Sequence, residues 1–239
     1  MKKILLTLAI VCLATSAFAV DLPKQGFGLQ VGWAQPILRL NSPTSNPKDS
    51  LDNITKLNGF KIGVVYDGSF IAGFGASMGI NYTFAASITP WVKRSSAQQQ
   101  MYPQVHDKIM YHAVELFVDW QYKFEVAKET YLMLYTGPTI QCGIAYNVQR
   151  DERDVEGRIT PAISKSNRYT TDNADEVLKR LNVTWGLGAG FQYQRYFLRG
   201  GYDFGLIPPY KNNDFVNGNH ARGRLDQWNI KIGMYLWYD

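Results

Sequence analysis

Period-two alternation of apolar and polar residues, repeated eight times, constrains this chain more than any other feature. Successive side chains of a strand point to opposite faces of its sheet, so strict alternation marks a strand with two chemically different faces. The first segment places Phe27, Leu29, Val31 and Trp33 against Gly26, Gly28, Gln30 and Gly32. The next three set Phe60, Ile62, Val64 and Tyr66 against Lys61, Gly63 and Asp67; Phe74, Met78, Ile80, Tyr82 and Phe84 against Gly75, Ser77, Gly79 and Asn81; and Val114, Leu116, Val118, Trp120 and Tyr122 against Glu115, Asp119 and Gln121. The fifth sets Leu132, Leu134, Ile140, Ile144 and Tyr146 against Gly137, Thr139, Gln141 and Gly143. The last three set Leu181, Val183, Trp185, Leu187, Phe191 and Tyr193 against Asn182, Thr184, Gly186, Gly188 and Gly190; Leu198, Tyr202, Phe204 and Leu206 against Arg199, Gly201 and Asp203; and Trp228, Ile230, Ile232, Met234, Leu236 and Tyr238 against Gln227, Asn229, Lys231 and Gly233.

Eight such strands fit either a soluble β-sandwich or a membrane barrel, and the glycines separate the two. Most of the 21 glycines fall on the polar face, and Gly200 alone sits on the apolar face of a strand. Glycine on the water face of a sandwich only weakens its strands. In a narrow barrel the polar face is the lumen, where small residues make room for a few long ones. The expected fold is therefore all-β, an eight-stranded antiparallel up-and-down transmembrane β-barrel. Short turns near 67–69, 127–129 and 194–196 alternate with long connections near 41–56, 86–108, 147–180 and 209–224. That is the layout of an outer-membrane protein with periplasmic turns and extracellular loops. Aromatics gather at both ends of the strands, Tyr66, Phe74, Trp120, Tyr122 and Tyr193 towards the turns and Phe60, Tyr82, Phe84, Tyr146 and Trp228 towards the loops, as interfacial girdles. Pro36 is expected at the outer rim, and Pro138 implies a nearby bulge.

The N-terminus carries an export signal: Lys2 and Lys3, an apolar run from Ile4 to Ala14, and Ala17-Phe18-Ala19 as the cleavage site. Residues 1–19 are read as a cleaved signal peptide and 20–239 as the barrel domain. Cys12 lies inside the apolar run after Val11 and does not form a lipoprotein signal. Loss of Lys2 and Lys3 lowers the formal charge from +5 to +3, too mild to imply a nucleic-acid partner. Cys142 is the one cysteine left, which excludes an internal disulfide.

On the polar face stand Lys61, Glu115, Asp119, Arg199, Asp203 and Lys231, three of each sign. Charges inside a barrel must be paired, so these form an interior salt-bridge network that sets register and fills the lumen. No cofactor motif or His-x-Ser pair is present, and a positioned nucleophile or water is required for hydrolysis. His112 shares the parity of Val114 and points to lipid, while His106 and His220 fall in loops. The loop run Arg150-Asp151-Glu152-Arg153-Asp154 interleaves arginines with acids, unlike a calcium loop.

At the C-terminus, Lys231, Gly233, Leu236 and Tyr238 resemble the signal by which the barrel-assembly machinery recognises its clients, with Asp239 as a departure after the final aromatic. Gly188-Ala189-Gly190-Phe191-Gln192-Tyr193 and Gly201-Tyr202-Asp203-Phe204-Gly205-Leu206 are similar to the closing strands of the PorT-like outer-membrane β-barrel family of Bacteroidota. Val114-Glu115-Leu116-Phe117 with Tyr131-Leu132 and Gly137-Pro138 resembles that family's central hairpin, without the proline that often follows the glutamate there. The resemblance spans roughly residues 57–239 and implies an outer-membrane location and, by analogy, a secretion or gliding complex as partner. The function expected is a non-enzymatic envelope scaffold or surface-binding barrel of the OmpA and OmpX kind. Its partners would be outer-membrane lipid, lipopolysaccharide and the barrel-assembly machinery. A small-solute channel or membrane-embedded hydrolase is the remaining alternative.

Overall fold

Eight strands hydrogen-bond in a closed cycle, each antiparallel to the strand before it. The computed structural model describes residues 25–41, 52–71, 73–88, 90, 92–93, 104–153, 156–170, 178–209, 214–215, 219–220 and 222–238. In chain order the cycle is β1 (Gln25–Asn41), β2 (Asn58–Ile71), β3 (Phe74–Ile88), β4 (Gln104–Ala127), β5 (Thr130–Arg153), β6 (Leu181–Tyr193), β7 (Tyr196–Gly205) and β8 (Arg222–Tyr238). Every consecutive pair is joined, and β8 returns to β1 through Val31 opposite Ile232, so no strand of the ring keeps a free edge. The cleavage site lies outside the described residues.

The faces are inverted relative to a soluble protein. Leu29, Ile62, Ile80, Leu134 and Ile230 are exposed on the outside, while Gln30, Lys61, Asn81, Glu115 and Lys231 are buried within. No water-soluble sheet leaves its apolar face outward and buries its charges, whereas hydrocarbon around the barrel satisfies the outer face. The inward glycines work by shape. A Cβ at Gly188 would strike the Tyr135 ring, at Gly233 the Phe197 ring, at Gly79 the Phe117 ring, and at Gly143 the Tyr169 ring. Large inward side chains thus lie over glycines of adjoining strands. Outward Gly200 meets nothing closer than 3.9 Å.

Several expectations need correction. β4 and β5, at 24 residues each, run far past the roughly 10 needed to cross a bilayer. Much of the two connections expected at 86–108 and 147–180 is therefore strand: residues 104–108 belong to β4, 147–153 to β5, and Ile159–Asn167 pairs along β5. Pro138 makes a gap in the ladder rather than a bulge. Its neighbours on β4 are paired on either side, Phe117 with Thr139 and Trp120 with Thr136, without a change of register. Trp120 and Trp185 meet across that strand with ring centroids 6.0 Å apart. The register shift lies further along, where His112 pairs with Ala145 but Ala113 pairs with Gly143. That extra residue, Ile144, reverses the parity of β5 and turns Tyr146 inward, removing it from the girdle. A second shift, at Leu236, carries Tyr238 to the lumen side, where it stacks on Tyr235 at 5.1 Å. Pro36 pairs with Gln227 where β1 changes neighbour, from β2 at Ala34 to the short strand Asp52–Lys56 at Ile37.

Tight turns close the opposite end. Glu129 and Gln194 take left-handed backbone (φ 58° and 52°), a conformation costing roughly 1–2 kcal/mol outside glycine. The two turns brace each other: the Gln194 amide N–H donates to the Glu129 carbonyl at 2.8 Å, and its Nε2 donates to Glu129 Oε2 at 2.8 Å.

Candidate functional site

The lumen is layered along the barrel axis. Nearest the turns, Asp67 of β2 accepts from Arg199 Nη2 at 3.0 Å, Lys123 Nζ at 3.1 Å and the Tyr235 hydroxyl at 2.5 Å, and also from Gln121. Arg199 is fully buried, donates to Ser77 Oγ at 2.7 Å and lies over the Phe197 ring at 5.1 Å. Further along, Lys61 pairs with Glu115 at 2.5 Å, and Thr83 Oγ1 donates to Glu115 at 2.7 Å. Asn229 Nδ2 donates to Asp203 at 2.9 Å, and Lys231 Nζ lies 4.9 Å from the Phe117 ring centroid.

The six charges singled out from the sequence are all buried, yet the pairing is not the one their list implies. Lys61 meets Glu115 directly, but Arg199 reaches Asp67, and Asp203 is held by an amide. Neither Asp119 nor Lys231 makes an ion pair at contact distance among the described residues. Asp67 and Lys123 were missing from the set. Lys123 has the parity of Glu115, Asp119 and Gln121, so continuing the alternation of β4 by two residues would have found it. With these two added, Lys61, Lys123, Arg199 and Lys231 face Asp67, Glu115, Asp119 and Asp203.

Towards the long loops the lining becomes apolar. Leu38, Leu57, Tyr111, Tyr146, Leu178 and Leu225 form one buried cluster, and Tyr169 enters it from beyond β5. Tyr169 lies against Gly143, and the Arg180 guanidinium sits over its ring at 5.4 Å. Asn167 Oδ1 accepts from the amides of Tyr146 and Tyr169, which ties this segment to the barrel wall. The cavity left among these side chains measures about 10 Å³, at the lower limit for one water.

The histidines are dispersed. His112 is outward, its Nδ1 2.6 Å from the Tyr82 hydroxyl and its ring 4.9 Å from Phe84. His106 lies beside Asp151 at 3.5 Å on the loop-end extension of β4 and β5. The ammonium of Lys108, bonded to Asp151 at 2.8 Å, holds that carboxyl below its ordinary range. His220 lies in a two-residue strand, and its side chain is outside the described ones. Among the described residues no group of three metal-ligating side chains converges. The barrel-signal residues occupy β8, with Lys231 and Gly233 inward, Leu236 outward and Tyr238 turned in by the shift at Leu236.

The closed cycle, apolar outer face and polar lumen coincide with a family match. The model of the outer membrane protein beta-barrel domain matches residues 26–210. The chain belongs to that family. It is an outer-membrane β-barrel, and its eight strands cross the membrane. Solved structures similar to it include Ail, the attachment invasion locus protein of Yersinia pestis, at 10% identity over 90% of this chain and 100% of that one, with a TM-score of 0.38. The neisserial surface protein NspA is 13% identical over 87% of this chain and 96% of that one, with a TM-score of 0.39. Among curated proteins no sequence matches.

Proposed function

We propose that this barrel is a non-enzymatic scaffold or surface-binding protein whose lumen is plugged, with the N-terminus and turns periplasmic and the long loops extracellular. The observation that carries the reading is how closely the interior is packed at two levels. Arg199 spans the turn-end lumen fully buried, and Tyr169 with Leu178 leaves about 10 Å³ at the loop end. An eight-stranded interior is just wide enough for side chains, so a filled lumen is its expected state. The elongated β4 and β5 continue as a paired two-stranded ribbon past the apolar belt at the loop end, the part of the molecule suited to contact another surface. Release of the signal peptide and recognition of the last strand by the assembly machinery belong to the same proposal.

Planar-bilayer recording tests it: the purified barrel gives no stable conductance steps, and open channels of porin size would overturn the plugged reading. Membership of a PorT-like secretion complex is supported by the resemblance of β6 and β7 and is read by co-purification in mild detergent. A lone barrel counts against it.

A further inference from the structure

Beyond the apolar belt, on the outside of the barrel, one carboxylate holds two arginines. Asp226 shares the outward parity of Trp228 but is fully buried. Its Oδ2 accepts from Arg39 Nε at 2.9 Å, from Arg224 Nε at 2.9 Å and from the Tyr202 hydroxyl at 2.7 Å, and its Oδ1 accepts from the Gly205 amide at 3.0 Å. Arg39 and Arg224 face each other directly across β1 and β8, an arrangement that like charges disfavour unless a counter-ion lies between them. Both side chains stay open to the outside, 39% and 49% exposed, with Nε spent on Asp226 and Arg39 also bonded to Tyr202. Exposed Lys56 stands opposite Ile37, on the same outward face. Among the described side chains three cations therefore meet one acid. The contrast is Lys108 on the same rim, which is bonded directly to Asp151.

Depth identifies what faces this surplus. From the turn end, β1 presents Phe27, Leu29, Val31 and Trp33 outward, and β8 presents Leu236, Met234, Ile232, Ile230 and Trp228. Such a run of roughly ten tilted residues crosses an apolar band of about 25 Å. On β8 the exposed apolar run ends at Trp228, whose ring lies 4.6 Å from that of Tyr202, and Asp226 and Arg224 follow at headgroup level, while neighbouring β7 carries exposed Phe204 and Leu206 beyond Tyr202. Paired guanidinium forks match the oxygens of a phosphate group.

We infer that Arg39, Arg224 and Lys56, organised by Asp226, form a site for a phosphate carried on a membrane lipid, which the loops-outward orientation proposed above makes a phosphorylated glycolipid of the outer leaflet. Asp226 is the positioning residue. It spaces the two arginines and turns their outer nitrogens towards the lipid.

The mature protein, folded in neutral detergent, is titrated with bis-phosphorylated lipid A, with the same lipid dephosphorylated, and with inorganic phosphate, and bound lipid is counted by native mass spectrometry. Saturable binding of the phosphorylated lipid is expected, weakened at least ten-fold in R39Q/R224Q and several-fold in K56Q, and unchanged in K128Q at the turn end. Circular dichroism and heat-modifiable migration report folding. Should R39Q/R224Q fail to fold, K56Q decides, because the Lys56 side chain is exposed and makes no ion pair among the described residues. Equal binding by K56Q and R39Q/R224Q, or equal binding of the dephosphorylated lipid, overturns the site. Inorganic phosphate displacing the lipid at equal concentration also overturns it, as a soluble-anion site. Orientation is read separately, with a membrane-impermeant maleimide on whole cells carrying T170C in a C142S background. Label is expected there. Lipid binding with T170C shielded overturns the outer-leaflet assignment alone.

Discussion

On β8, Ile230 and Ile232 are 51% and 57% exposed, while Asn229 and Lys231, alternating with them, are 3% and 5% exposed. The same inversion holds around the ring, and the two faces are held by different physics. Outside, side chains meet lipid one at a time, and what matters is that none carries charge. Inside, every group is enclosed by the other seven strands, and what matters is whether it has a partner of the right shape or charge. The outer face therefore tolerates exchange among apolar residues. The inner one is specified pair by pair.

The largest effect expected from that contrast lies in the lumen. Lys61→Met leaves Glu115 buried without its cation and should cost about 3–5 kcal/mol, whereas Lys61→Met with Glu115→Leu recovers most of the loss, since a buried pair exchanged whole for apolar groups is nearly neutral. Urea unfolding in lipid vesicles reads both, and an unaltered midpoint for Lys61→Met would break the comparison. On the lipid side, Ile232→Arg at the middle of the belt should cost about 2–4 kcal/mol in the same assay, and Ile232→Leu almost nothing. A tolerated arginine would mean that this face is covered by protein. The smallest effect sharpens the contrast in shape. Gly188→Ala drives a methyl into the Tyr135 ring and should cost about 1–3 kcal/mol, while Gly200→Ala on the open outer face should stay within about 0.5 kcal/mol. Equal costs would show that the inward glycines are not sockets.

The strands and most of their faces were legible because alternation is local: Phe27 and Gly28 differ in environment whatever the rest of the chain does. The charge set was legible by residue but not by partner. Arg199 and Asp67 are 132 positions apart, and only closure of the ring brings them to 3.0 Å. Lys123 follows the girdle residue Tyr122, where the strand is expected to end, although β4 continues to Ala127. Tyr169 gave no local sign of its place, since it belongs to a connection and enters the mouth of the barrel only where Gly143 leaves room.

The sequence by itself determined eight amphipathic strands, the lipid-facing set from Phe27 to Leu236, a glycine-rich inner face and alternating short and long connections. These follow from a two-residue period that each strand obeys on its own. Tertiary structure decided what depends on distant chain. It set the shifts at Ile144 and Leu236 that turn Tyr146 and Tyr238 inward, the pairing of Asp67 with Arg199 and Lys123, and the burial of Asp226 between two arginines on an outward face. A bulge reverses parity without altering composition, and a salt bridge across the lumen needs a closed ring to exist.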